Sequence, residues 1–129
     1  MAKNPECWAI FSLSGSKLDP DEITDLTGVN PDFFSSEEIT GNRKGGLWQI
    51  YSRLEGRHEP EDFIWDILKK IASARDLFKK LCRDYDAVIY CSVEFSGKDI
   101  DGVRLSPRLL LILGDLGVSL EFHPWKHES

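Results

Sequence analysis

Alternation of apolar and polar side chains marks out four strands. In "CWAIFSLS" (Cys7–Ser14), Cys7, Ala9, Phe11 and Leu13 form a wholly apolar phase of period two. The other phase, Trp8, Ile10, Ser12 and Ser14, is half apolar and half polar. In "LWQIYSRL" (Leu47–Leu54), Trp48 and Ile50 share one face, and Gln49, Tyr51 and Arg53 share the other. In "AVIYCSVEFS" (Ala87–Ser96), Ile89, Cys91, Val93 and Phe95 oppose Val88, Tyr90, Ser92 and Glu94. Val118–Phe122 is the fourth predicted strand, and the tail "HPWKHES" is expected to fray, Trp125 apart.

Between these runs the period changes to that of a helix. Phe63, Ile64, Ile67, Leu68 and Ile71 follow it, and so do Leu77, Phe78, Leu81, Cys82 and Tyr85. Pro60 suits the first turn. Ser73 and Asp76 have the spacing of a capping box, which allows a break near Ser73 and two helices in place of one. Residues 30–46 hold turn formers and two aromatics. They read as a loop with a short helical turn near Phe34–Glu38, and Gly41, Gly45 and Gly46 suggest mobility.

Two stretches echo each other. "KLDPDEITDLTGV" (Lys17–Val29) returns as "RLSPRLLLILGDLGV" (Arg104–Val118), each after a strand-like run ending in Ser-Gly. The shared residues have mechanical work to do. Asp19 or Ser106 caps free amides, Pro20 or Pro107 fixes φ at the first turn, and Gly28 or Gly117 turns the chain out. Glu22 has the position that completes a capping box. The carboxylates Asp19, Asp21, Glu22 and Asp25 lack the alternate spacing of a calcium loop and fit a helix's first turn.

These elements predict an α+β fold: a two-layer sandwich with a four-stranded, mostly antiparallel sheet and helices on one face. Two β-α-β units are joined by a central helical region, in a single domain over residues 1–129. An all-parallel sheet would be apolar on both phases, and here every strand has one mixed phase.

The quoted segments "WAIFSLSG", "LDPDEITDLTGVNPD", "GLWQIYS" and "LSPRLLLILGDLGVSLEF" resemble the bacterial family catalogued as domain of unknown function 4279. The resemblance runs from Cys7 to Phe122, and its most specific parts are the L-D-P-x-x-I-T segment and the Trp48 strand. It implies a small, usually stand-alone bacterial protein, and it supplies no catalytic residues. The loop at 33–46 is the part least like the family.

Composition narrows the chemistry further. The chain has 129 residues and a net charge of −6. Without clustered positive charge, neither nucleic acid nor an anionic membrane is an expected partner. Lys69, Lys70, Lys79, Lys80 and Arg83 give the central helical region a basic flank, diluted by Asp62, Asp66, Asp76 and Asp84; it reads as a solvated face. The three cysteines, Cys7, Cys82 and Cys91, are widely spaced, as expected of reduced thiols in a cytoplasm. The opening "MAKNPECWAIF" does not read as a secretory leader, and "LLLIL" (Leu109–Leu113) is too short to span a bilayer.

No catalytic residue, metal or cofactor is predicted. G-x-S-x-G and P-loop patterns are absent from the sequence, and Cys82 and Cys91 fall on apolar faces. Glu94, Glu121 and His123 could meet on one side of the sheet, where such a set can hold zinc or move protons; their strand order is open at this point. The mixed phases carry the functional expectation. Trp8, Tyr51, Arg53, Tyr90, Glu94, Glu121 and His123 should share the side away from the helices. Aromatics interleaved with a few charges suit a protein-recognition surface. The expected function is therefore a non-catalytic protein-interaction module, regulatory or toxin-neutralising, binding a protein partner or itself. The alternative is a small-ligand sensor with its site between the sheet and the 33–46 loop, beside Trp48.

Overall fold

The computed structural model describes residues 7–36, 45–55, 58–95 and 102–126. Five strands form one sheet: β1 (Cys7–Gly15), β2 (Phe33–Ser35), β3 (Gly46–Ser52), β4 (Asp86–Phe95) and β5 (Ser119–Lys126), in the order β2-β3-β1-β4-β5. The helices are α1 (Pro20–Thr27), α2 (Pro60–Ile71), α3 (Arg75–Asp84) and α4 (Pro107–Leu116). The α+β class and the single helix layer agree with the sequence reading. The sheet has one strand more than predicted and is mixed: β4 and β5 run parallel, and the other pairings are antiparallel.

The extra strand is β2. The sequence reads as a loop with a helical turn there, but Phe33, Phe34 and Ser35 pair with Gln49, Trp48 and Leu47. Asp32 anchors this edge. Its N–H bonds Gln49 O at 2.8 Å, and its carboxylate accepts the Tyr51 N–H at 2.7 Å. Three residues are too few to show a period, and both phenylalanines are exposed. Residues 37–44, including Gly41 and the rest of the expected helical turn, lie outside the described ones.

Gly45 and Gly46 have a packing role. Gly45 sits at φ +117°, and Gly46 opens β3. A Cβ on Gly45 would strike the backbone of Gly15 and Ser16, and one on Gly46 the backbone of Leu18. Only glycine lets the β1 turn pack this closely.

The echo is mechanical, as its residues suggest. Asp19 accepts the Asp21 N–H at 3.1 Å, and Ser106 Oγ accepts the Leu109 N–H at 3.2 Å. Gly28 and Gly117 end their helices in the left-handed conformation. The two units differ in topology, however. β4-α4-β5 is a parallel crossover, whereas α1 leads to β2 and to a β3 antiparallel to β1. Similar caps set helix ends and do not set the direction of the next strand.

The central helical region breaks at a 3₁₀ turn, Ala72–Ala74. The expected cap does not cause it: Ala74, without a side-chain bond, precedes α3, and Ser73 lies inside the turn. The fourth strand also outruns its prediction. β5 continues through Pro124 to Lys126, so this part of the tail is not frayed. An edge strand tolerates a proline whose missing N–H faces away from the ladder.

One apolar phase per strand meets all four helices. Ala9, Phe11 and Leu13 of β1 and Trp48 and Ile50 of β3 join Ile89 and Cys91 of β4 in one buried cluster. Ile23, Ile64, Phe78 and Leu113 bring α1 to α4 into it. Phe11, Trp48 and Phe78 lie within 6.4 Å of one another, centroid to centroid. Trp48 Nε1 donates to Thr24 Oγ1 at 3.1 Å, which ties α1 down. Trp48 is therefore a core residue.

α4 is fastened at both ends. The Glu61 carboxylate on α2 accepts from Ser106 N at 2.7 Å, Ser106 Oγ at 2.8 Å and Trp65 Nε1 at 2.8 Å. Arg108 lies 5.7 Å from the centre of the Trp65 ring. At the other end Asp115 accepts from Arg75 at 3.0 Å and Lys79 at 3.1 Å on α3. The bonds from Trp65 and Ser106 lower the carboxyl of Glu61; those from Lys79, then Arg75, lower that of Asp115.

Two outcomes follow for stability. Phe78→Ala empties the middle of the ring cluster and should cost about 3–5 kcal/mol in urea unfolding; a loss below about 1 kcal/mol would contradict the packing described. Glu61 binds its proton more tightly when unfolded. Its contribution is thus present above its ordinary value of 4.5 and lost as pH falls through the lower folded value. Glu61→Gln should be less stable than wild type at neutral pH, and the gap should narrow as pH falls below the ordinary value of 4.5 in acid-unfolding curves. A gap that stays constant would remove the ionised clasp.

Candidate functional site

The phase of the sheet turned away from the helices is built by register. Tyr51 of β3 lies opposite Ile10 of β1, Ile10 opposite Tyr90 of β4, and Tyr90 opposite Glu121 of β5. One row thus crosses four strands. Beside it, Trp8 pairs with Ser92, and Ser92 with His123. On the other side, Gln49, Ser12, Val88 and Ser119 form a third row, which β2 extends with Phe33 opposite Gln49.

The sequence reading placed Trp8, Tyr51, Tyr90, Glu121 and His123 together, and the register does the same. Arg53 lies just past the end of β3, its guanidinium 5.4 Å from the centre of the Tyr51 ring. Glu94 falls in the same phase of β4, opposite Trp125; its side chain lies outside the described ones. The reading missed Phe33, which is 43% exposed on this face. It could be found only by pairing β2, and three residues do not announce a strand.

The side chains of this face are already knitted together. Tyr51 Oη donates to Gln49 Oε1 at 3.3 Å, and Gln49 Nε2 donates to Ser12 Oγ at 3.3 Å. His123 Nε2 lies 3.1 Å from Glu121 Oε1, and its ring is 5.5 Å from that of Tyr90. Ser12, Val88 and Ser92 form a buried floor. Around them Tyr51, Tyr90, Ile10 and Gln49 are half-buried, and Trp8 is 36% exposed. Arg53, Glu121 and His123 are exposed at the margins. Gln49 with Ser12 and Tyr90 with His123 are cross-strand pairs, which stabilise the pairing of their strands.

Among the described residues, no cluster of three or more His, Cys, Asp and Glu could hold a metal ion. Every buried side-chain nitrogen and oxygen there has a hydrogen-bond partner. Burial pushes the Cys82 thiol up to about 12, and Cys91 is sealed in the core. Neither presents a nucleophile. On the basic flank, Lys70 reaches Tyr51 O at 2.8 Å and Asp66, and Lys79 is held by Asp115. A shallow, open groove of about 380 Å³ lies between the end of α1 and the end of α2, lined by Val29, Asn30, Asp32, Ile50, Lys70 and Ser73. None of these lining residues belongs to the tyrosine face.

The family model for a domain of unknown function, DUF4279, matches residues 5–127, nearly the whole chain. The protein belongs to the DUF4279 family. No curated protein and no solved structure matched it. In this DUF4279 chain, no described helix is long and apolar enough to cross a membrane.

The placement of the thiols gives a direct check. A thiol reagent should leave Cys82 and Cys91 unmodified in native protein near neutral pH and label both in urea, as read by peptide mass spectrometry. Rapid native labelling of Cys91 would contradict its burial.

Proposed function

We propose that this DUF4279 protein is a non-catalytic interaction module, and that the helix-free face of its sheet binds a protein partner. The observation that supports this most directly is the row Tyr51–Ile10–Tyr90–Glu121, flanked by Trp8, Arg53 and His123. Large amphipathic rings with their bodies packed and their rims exposed give contact area at little entropic cost, and tyrosine, tryptophan and arginine dominate such contacts. The hydrogen bonds among Tyr51, Gln49 and Ser12 pre-order the surface, which reduces the cost of association. A cytoplasmic regulatory or toxin-neutralising role fits a small module that acts by covering a partner's surface.

Binding of a small ligand is the second reading, favoured by the groove between α1 and α2. There Lys70 and Asp32 offer opposite charges above the apolar floor of Ile50.

Tagged full-length protein, expressed in its own cells, should retain a stoichiometric partner on purification. The double change Tyr51→Ala with Tyr90→Ala should abolish retention while the circular dichroism spectrum stays that of wild type. Retention unchanged by both substitutions would refute the sheet-face assignment.

A further inference from the structure

We infer that β5 is an interface strand: a second copy of this chain pairs its own β5 antiparallel to it, about a two-fold axis through Phe122, and the two sheets become one. This goes beyond the interaction face proposed above, whose tyrosine row it leaves uncovered.

The outer edge of β5 is open. Asp32 N–H bonds Gln49 O on the β2 side of β3, so the odd-numbered residues of β3 turn their backbone groups away from β1. Following the registers through β1 and β4 leaves Leu120, Phe122 and Pro124 with backbone groups directed off the sheet. Pro124, which has no N–H, thus falls in the outward phase. Among the described residues, nothing bonds to the outward groups of Leu120 or Phe122. Such a row is a template for another strand.

The side chains select one register. Centred on Glu121, the pairing would set carboxylate against carboxylate; centred on His123, imidazole against imidazole. Centred on Pro124, it would lack donors at the axis. Centred on Phe122, it places Glu121 of each copy opposite His123 of the other, at the positions where side chains approach most closely. His123 already meets a carboxylate there, lying 3.1 Å from Glu121 of its own strand. Phe122 N–H of each copy donates to Phe122 O of the other, and Leu120 N–H to Pro124 O. On the helix side, Phe122 is 38% exposed although it shares the phase of buried Cys91; in this register it meets its own image.

α4 supplies an independent match. Arg108 meets the Trp65 ring on α2, and Asp115 meets Arg75 and Lys79 on α3. That side of α4 faces the middle of the sheet, since α2 packs on β1 and α3 on β4. At about 100° per residue, Leu110 and Gly114 fall on the opposite side, toward the β5 edge. Leu110 is 52% exposed, and a Cβ on Gly114 would meet nothing. A glycine inside a helix costs stability, and no described neighbour requires this one. α4 runs back along β5, because β4 and β5 are parallel. Leu110 is about 9 Å along α4 from Leu116, and Phe122 about 10 Å along β5 from Ser119, so both stand near one level. The axis therefore sets the two α4 helices side by side and antiparallel, Leu110 near Leu110, with Gly114 allowing close approach.

The other edge, β2, has exposed Phe34 and is the rival surface. In sedimentation equilibrium, the full chain should rise from 14.7 kDa toward twice that mass as concentration approaches about a millimolar. Amide exchange, read by NMR, should slow at Leu120 and Phe122 as the dimer forms. Glu121→Lys and His123→Glu should each weaken association about tenfold, and the two together should restore it. Leu110→Glu should weaken it as well, by bringing carboxylates together near the axis. Phe34→Glu should leave it unchanged. All four positions are exposed, so folding should be unaffected, which thermal melting checks.

A monomer at every concentration would overturn the inference. So would a dimer whose Leu120 and Phe122 amides still exchange fast, one that Phe34→Glu abolishes, one indifferent to Leu110→Glu, or one that the paired change at 121 and 123 fails to restore.

Discussion

The pleat of the sheet places alternate side chains on opposite faces, and all the described helices pack on one of them. Phe11, Trp48 and Phe78 show what this does: three rings from two strands and a helix close on each other and exclude water. Ala9, Leu13, Trp48, Ile50, Ile89 and Cys91, in phase with Phe11, are drawn into that layer. Everything one residue out of register, from Trp8 to His123, is turned to the far side. A one-residue slip in β1 or β4 would exchange the two populations, so the far face is specified as strictly as the core.

That coupling explains how a face with so little apolar content stays ordered. Ser12, Val88 and Ser92 hold the floor because their neighbours in sequence, Phe11, Leu13, Ile89 and Cys91, are locked below. The polar clasps act at the edges of the same frame. Ser52 donates to Asp66 at 2.7 Å where β3 meets α2, and Lys70 reaches the Tyr51 carbonyl from the same helix. The backbone that presents Tyr51 is thus braced from the helix side. The Glu61 and Asp115 clasps do for α4 what its short length alone cannot.

Much of this was legible from residue spacing. The alternating phases of β1, β3 and β4 are long enough to show period two, so the core and the far face are both legible in the sequence. The ends of α1 and α4 were legible because Asp19, Ser106, Gly28 and Gly117 act locally. Features set by distant partners were not. The direction of β5 depends on where α4 docks. β2 exists because β3 offers an edge to Phe33 and Phe34. The Glu61–Ser106 bond joins residues 45 apart in sequence, and of that cluster only the helical spacing of Glu61 and Trp65 could be seen. The tail from His123 reads as frayed, yet its residues through Lys126 lie within an edge strand. The candidate face was legible except for Phe33, because it consists of the same strands read in the other phase.

Hydroxyl-radical footprinting of dilute native protein, read residue by residue, would compare the two phases in one experiment. Trp8, Tyr51 and Tyr90 should be oxidised well before Trp48 and Phe78, which should react only once the protein unfolds. Oxidation of Trp48 as fast as Trp8, or complete protection of both tyrosines in the dilute monomer, would contradict the division of the sheet into a sealed face and an accessible one.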